Sequence, residues 1–475
     1  METDAMQYTE IKTSDKECLI CKKQRGPNSE DEGQLISLQN KMVYVCEEHC
    51  DAFFIGVNLG RIELDSRLIQ KLSALKDDTT GYQLKQVIYD LVPLAKRQIQ
   101  EHKRLHKMTI YSPKEIYEHL ECYVVGQEEA KRRISLSVFE HVKQIRDYYP
   151  SVAPDKHNIL LIGPSGSGKT LLAHTVAQQL ELPFTSADST SFSPTGYQGA
   201  DVDSTIADLY HKSHNVVLTA EKGIVFFDEL DKLGTYHASG SKGEMFNYNT
   251  QNTLLRLIEG KKVKVPLGQM GEHVNISTEQ ILFFFGGAFP GLVDVVAKLE
   301  GYSGRKIGFV SQEQNEKYEE AMKNYDILCN ASLDVLTKAL VEYGLSSELI
   351  GRIPVIVPIA PLNKEQLTEF LLEIDHSPLL RQKNLFAESG YELDFTDEFI
   401  TTLIDKVYQM STGTRALTSA VKTAVSRAAF DMLTGPTRKQ NGVITITEEC
   451  LSNPSAYIYN ANTQKIKLSK AQIVM

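Results

Sequence analysis

Residues 163–170 read GPSGSGKT and fit the pattern G-x-x-x-x-G-K-[ST]. The apolar run NILLIG (158–163) leads into it, and the helix-forming stretch LLAHTVAQQLEL follows. Strand, glycine loop and helix in that order give the pattern its chemistry. Glycines let backbone N–H groups curl around a phosphate, and the helix N-terminus adds its positive dipole end. Lys169 would neutralise charge on the β- and γ-phosphates, and Thr170 would hold Mg²⁺ through its hydroxyl. The candidate nucleotide-binding residues are therefore Gly163, Pro164, Ser165, Gly166, Ser167, Gly168, Lys169, Thr170 and Leu171. A second segment, GIVFFDELDKL (223–233), reads as a buried strand delivering Asp228 and Glu229 to its C-terminal end. Asp228 can reach Mg²⁺ through water. Glu229 can orient and deprotonate a water that attacks the γ-phosphate. Alone, the first segment is a glycine-rich turn and the second a solvated strand end. Together they specify nucleotide hydrolysis rather than binding alone.

Another cluster of reactive side chains stands near the N-terminus. The seven cysteines are at 18, 21, 46, 50, 122, 329 and 450. Their odd number and early crowding suit a metal site better than a disulfide framework. Cys18-x-x-Cys21 and Cys46-x-x-His49 frame a tetrahedral Zn²⁺ site, with Cys50 as the alternative fourth ligand. A domain this small lacks a core, so zinc would supply most of its folding energy. A third feature is TGYQGAD (195–201), which sets Tyr197 between glycines. On turn statistics alone it is a surface loop.

These groups need elements to hold them. Hydrophobic residues are 42% and charged residues 24% of the 475, as in ordinary globular chains, which leaves room for several domains. The runs NILLIG, GIVFFDE (223–229) and ILFFFGG (281–287) show little polar alternation. Strands of that kind are buried on both faces, which predicts a parallel sheet covered by helices. Ser112-Pro113 with Glu115 reads as a helix start. Residues 60–107 have helical periodicity, and 461–475 read as a loose tail. After 361 the pattern becomes a smaller, mainly helical domain. Thr396 caps one helix, a second runs from about 413 to 433, and VITIT (443–447) is a late strand. The formal net charge of −10 argues against coating nucleic acid, which requires a basic face. No apolar run is long enough to span a bilayer, and METDAMQYTEIK resembles no secretory or transit leader, so a cytoplasmic protein is expected.

Seven ordered blocks then resemble one family. They are YVVGQEEAKRRISLSVFEHVKQI (123–145), the phosphate loop with its Asp-Glu strand, TGYQGAD, LLRLIEGKKVKVP (254–266), ILFFFGGAF (281–289), ELIGRIPVIVP (348–358) and STGTRAL (411–417). From about 112 to 460 the chain is similar to the ClpX family of AAA+ unfoldases. The resemblance implies an α/β AAA+ P-loop fold with helices on both faces of a parallel sheet, then a small mainly helical domain. It implies the organisation 1–55 zinc-binding, 56–111 helical linker, 112–358 large ATPase, 359–460 small lid and 461–475 tail. It implies a homo-hexameric ring that threads protein substrates, some brought by adaptors, into a ClpP-like peptidase, with no membrane and no nucleic acid involved.

The roles it implies fall on matching positions. Tyr123, Val124 and Val125 line the adenine pocket, and Gly126 and Gln127 start the next helix. Arg352 is the arginine finger that reaches a neighbouring subunit's site, and Arg415 touches nucleotide in its own subunit. Tyr197 grips the translocating chain through a pore loop. Ile307, Gly308 and Phe309 dock on the peptidase. His49 stands where the family has its fourth zinc cysteine, which favours Cys₃His with Cys50 spare. Three departures stand out: Gln198 replaces the usual valine of the pore loop, the basic pore-entrance triplet is absent from VKVPLGQMGEHVNIST, and the linker is longer. No polar residue in ILFFFGGAF offers itself as a γ-phosphate sensor. The competing readings are a peptidase-independent remodelling chaperone, an idle scaffold and a nucleic-acid motor.

Overall fold

The computed structural model of the protein describes residues 110–146, 157–192, 202–234, 241–266, 273–301, 316–374, 377–410, 413–433 and 442–461, and the backbone of 34–38 and 41–45. Cys18, Cys21, Cys46, His49, Cys50, Tyr197, Ile307, Gly308, Phe309, the periodic stretch 60–107 and the last residues of the tail lie outside the described residues. Between the two halves of the cysteine cluster, β1 (Gln34–Leu38) pairs antiparallel with β2 (Lys41–Val45), closing at Leu38 opposite Lys41.

Helix α1 (Pro113–Tyr123) starts as expected. Ser112 and Glu115 cap each other's backbone N–H reciprocally, and Pro113 takes the first turn, where no intrahelical N–H bond is lost. Helix α2 (Glu128–Arg146) follows a turn at Gly126 and Gln127. Strand β3 (Ile159–Ile162) leads through the glycine loop into α3 (Lys169–Gln179). Strand β4 (Phe184–Asp188), α4 (Val202–Lys212), β5 (Ile224–Asp228) and α5 (Ser241–Ile258) come next. A hairpin of β6 (Lys262–Pro266) and β7 (His273–Ser277) precedes β8 (Leu282–Gly287), and a short helix α6 (Ser347–Gly351) precedes β9 (Val355–Pro358). The five longer-range strands form one fully parallel sheet in the order β4-β5-β8-β3-β9.

Burial explains the apolar runs. Ile159 and Leu161 of β3, Phe226 and Phe284 pack under α1, α2 and α3 against Leu120, Ile134, Leu172 and Val176. Leu160 and Ile162, with Phe227, Phe283 and Phe285, face the other way onto Ile206 of α4 and Leu254 and Leu257 of α5. Both faces are thus sealed, and each such side chain contributes about 1.5–3 kcal/mol of transfer free energy. A polar alternation would have placed hydroxyls or charges in one of these two layers without partners.

After β9 the chain enters a second body with its own core of Phe386, Phe399, Leu417, Val421 and Ile444. Thr396 accepts a hydrogen bond from the Phe399 N–H (3.2 Å) at the start of α7 (Asp397–Met410), and α8 spans Thr414–Leu433. The late strand belongs to a three-stranded sheet of β10 (Tyr391–Phe395), β11 (Gly442–Ile446) and β12 (Ile458–Ala461). The sequence reading found only β11. Strand β10 alternates buried Tyr391, Leu393 and Phe395 with exposed Glu392 and Asp394, a period-two pattern in YELDF that the reading passed over.

The passage between the two bodies is clipped by one side chain. Gln127, buried and with φ 64°, donates from Nε2 to the Ala360 carbonyl (2.8 Å) and accepts the Ala360 N–H at Oε1 (2.9 Å). Ile359 N–H meanwhile continues the ladder to Ile162 O (2.7 Å). Among the described residues no helix is long and apolar enough to cross a membrane. Replacing Gln127 with Ala strands both Ala360 groups, so the Gln127→Ala protein should lose about 1–3 kcal/mol of unfolding free energy. Urea titration reads this as a lowered midpoint, and an unchanged midpoint would refute the clip.

Candidate nucleotide site

Helix α3 begins at Lys169, behind Gly168 held in the left-handed region at φ 93°. Lys169 is only 8% exposed, and its ammonium donates to the carbonyls of Gly163 and Pro164, both at 2.8 Å. Ser167 Oγ donates to Pro164 O (2.8 Å), so the loop's own side chains brace its curve. Burial pushes the Lys169 pKa down and Arg415 adds to the effect, while Asp228 and Asp231 pull it back up. An ammonium stripped of water and held by two neutral carbonyls is a strong attractor for an anion at the loop mouth.

The acids arrive from β5. Asp228 ends the strand, and Glu229 takes the left-handed conformation (φ 57°, ψ 35°) before a 3₁₀ turn at Leu230–Leu233. That conformation costs a non-glycine residue about 1–2 kcal/mol. It turns the chain so that Asp228 and Glu229, adjacent in sequence, both reach the same cavity. Asp228 Oδ1 accepts the Glu229 N–H (2.9 Å), which fixes the turn. Glu229 has its pKa raised, first by burial, then by the negative charges of Asp188 and Asp228 and, less, Asp231; Lys232 opposes the shift. Asp188 ends β4 directly across the ladder from Asp228.

The remaining wall explains the missing sensor. Strand β8 ends in Gly286 and Gly287, and a Cβ on Gly287 would lie 2.9 Å from Asp231 Oδ1. No side chain fits there. The polar contact at that strand end comes instead from Asp231, 1% exposed, whose Oδ1 accepts the Ala288 N–H (3.3 Å). Sequence reading missed Asp231 and Asp188. Asp231 was not legible from spacing, because Asp228 belongs to the strand and only the turn at Leu230–Leu233 brings Asp231 back to the cavity. Nor was Asp188, because only strand pairing brings it alongside.

The fourth wall comes from the second body. Thr414, at the start of α8, donates from Oγ1 to the Gly166 carbonyl (3.0 Å). Gly413 makes this approach feasible: at φ 62° its Cβ position would be 2.7 Å from Gly166 O. Thr414 and Arg415 thereby close a cavity of about 380 Å³ that Ser165, Gly166, Gly168, Lys169, Thr170 and Leu171 line from below and Asp228, Glu229, Asp231 and Lys232 from the side. Gly163, Pro164 and Ser167 support the loop from behind. Val124 and Val125 are buried beside the Gln127 clip, and the cavity's lining does not include them. Arg352 also stands outside it, on the surface at the end of α6, paired with Glu259 at 3.0 Å.

The donor set fits nucleotide and Mg²⁺. Thr170 and Asp228 would hold the ion, which neutralises phosphate charge when bound. Among the described residues no His, Cys, Asp or Glu group is arranged to hold a metal alone.

A P-loop on a sealed parallel sheet, with paired acids and an arginine from a following helical body, defines an AAA-type ATPase. The family described as AAA domain (Cdc48 subfamily) matches residues 155–356. The "ATP-dependent Clp protease ATP-binding subunit ClpX" of Treponema denticola is 35% identical over 73% of this chain and 83% of its own length. The protein of the same name from Porphyromonas gingivalis is 31% identical over 82% of this chain and 92% of its own, and "ClpX 3" of Methylococcus capsulatus 33% over 81% and 88%. The chain belongs to the ClpX family, as a divergent member, and it is an ATPase.

If Glu229 is the base, it must be ionised to accept a proton, and burial, then Asp188, hold its pKa up. The acid limb of kcat/KM for ATP should therefore be displaced upward from that of an ordinary glutamate, with activity rising as pH rises through it. Asp188→Asn removes one like charge and should move that limb to lower pH. A limb that does not move in the variant would refute the coupling.

Proposed function

We propose that the protein is an ATP-driven unfoldase whose subunits form a homo-hexameric ring and thread polypeptides through its pore. The observation that carries this is the division of arginines. Arg415 closes its own subunit's cavity, whereas Arg352 stands on a separate surface, outside the cavity it would need to serve. A catalytic arginine so placed can act only on a neighbour's nucleotide, which makes hydrolysis depend on assembly. In such a ring Lys169 and Arg415 neutralise the phosphates, Glu229 takes the proton of the attacking water, and the neighbour's Arg352 stabilises the transition state. A finger of that kind is worth about 10³–10⁵ in rate.

Work reaches the substrate through loops. The segment carrying Tyr197 precedes α4 in sequence, and residues 267–272 join β6 to β7. Their stems are tied by the pair Lys261–Asp203 (2.6 Å). Thr414 on the Gly166 carbonyl gives the lid a contact that bound phosphate can alter. Tyr197 then grips passing chains by van der Waals contact, which is tolerant of sequence. The relatives are named as subunits of a Clp protease, so the outlet is a ClpP-like peptidase docked through Ile307, Gly308 and Phe309. Zn²⁺ on Cys18, Cys21, Cys46 and His49 folds an N-terminal domain that receives substrates or adaptors. The setting is the cytoplasm.

ATP-dependent unfolding of a tagged fluorescent protein tests the reading. Tyr197→Ala should abolish unfolding and keep hydrolysis, while Glu229→Gln should lose both. A wild-type chain that stays monomeric with ATP would overturn the proposal. Removing Ile307–Phe309 should spare unfolding and end degradation by added ClpP. If the intact protein unfolds substrate but never supports degradation, the remodelling chaperone is the correct alternative. Elemental analysis should find about one Zn per chain, lost in Cys46→Ser; a metal-free wild type would remove the zinc domain from the account.

A further inference from the structure

Arg352 is held at two levels. Its carbonyl accepts a hydrogen bond from Nδ2 of Asn158 (2.9 Å), a residue only 1% exposed whose Oδ1 also accepts the Phe283 N–H (3.3 Å). Its own N–H donates to Leu349 O (3.1 Å). Asn158 immediately precedes β3, so the arginine's backbone is pinned to the sheet at the end opposite the phosphate loop. What this leaves free is the long side chain. A guanidinium on a flexible stem samples many positions, and few of them aim at a phosphate on another subunit.

Glu259 removes that freedom. Its Oε1 accepts from both Nε (3.2 Å) and Nη2 (3.0 Å) of Arg352. One edge of the guanidinium is thereby fixed, while Nη1 meets no acceptor among the described residues and stays open to an incoming oxyanion. Glu259 is itself anchored: its N–H donates to Leu255 O (2.9 Å) at the end of α5, and Gly260 (φ 96°) then turns the chain away. The pair is 54% and 43% exposed, and exposed ion pairs add little to stability. Its geometry serves direction, not the fold.

We propose that Glu259 is the positioning residue for the finger, holding Arg352 aimed across the subunit boundary. This rests on the reading of Arg352 as a finger acting in trans. Glu259→Gln should lower kcat for ATP about threefold to tenfold with KM unchanged, and leave the thermal midpoint within about one degree of wild type.

Mixed rings separate this role from a local one. Glu229→Gln subunits hydrolyse nothing themselves but carry an intact Glu259–Arg352 pair. Mixed with them, Glu259→Gln subunits should recover rate per competent site, because some now receive a neighbour's well-aimed finger. Arg352→Ala subunits in the same mixture supply the control. If Arg352→Ala is not relieved by mixing, the trans finger itself is wrong. If Arg352→Ala is relieved and Glu259→Gln is not, or if Glu259→Gln keeps wild-type kcat or changes only KM, the positioning role is refuted.

Discussion

A sheet covered on both faces cannot carry charge along its strands. Ile159 to Ile162 are at most 1% exposed, and so are Phe226, Phe227, Phe283, Phe284 and Phe285. Desolvating an unpaired charge there would cost far more than any domain's net stability. The acids of the cavity are therefore carried at strand ends, Asp188 on β4 and Asp228 on β5, with Glu229 just beyond. In a parallel sheet the C-terminal ends lie together, so Lys169, Asp228, Glu229 and Asp188 meet at one edge although they come from separate parts of the chain.

The same sheet sets the reach of the site in the other direction. Strand β3 carries the phosphate loop at one end, and Asn158, the tether of Arg352, at the other. Four buried residues between them make a stiff connection, because close-packed interiors transmit displacement instead of absorbing it. The second body is attached more lightly. It meets the first through Thr414 on Gly166 and the ring pair Tyr318–Tyr408 (5.5 Å), with the Gln127 clip on Ala360 at the crossing. A contact set of this kind suits a unit that shifts with the occupant of the cavity.

Electrostatics within the cavity is unbalanced in a useful way. Lys169 is depleted of water and Glu229 is crowded by like charge. Bound nucleotide would relieve both: its phosphates would face the ammonium, and an accompanying magnesium ion would face the carboxylates. Glu229 adds backbone strain at φ 57°. Such strain persists because the strand before it and the 3₁₀ turn after it leave no other path.

Local pattern was enough for the phosphate loop, the Asp-Glu strand, the reciprocal cap at Ser112 and Glu115, and the helices from 397 and 414, since each depends on spacing within a few residues. The parallel sheet could be inferred because burial on both faces writes itself into unbroken apolar runs. Three things could not be read that way. Asp188 gains meaning only from lying across the ladder from Asp228, Asp231 contacts the end of β8 only because Gly287 carries no side chain there, and the partner of Arg352 is a glutamate 93 positions earlier. Those relations are set by which surfaces pack together, and packing is a property of the folded whole that no short stretch of residues contains.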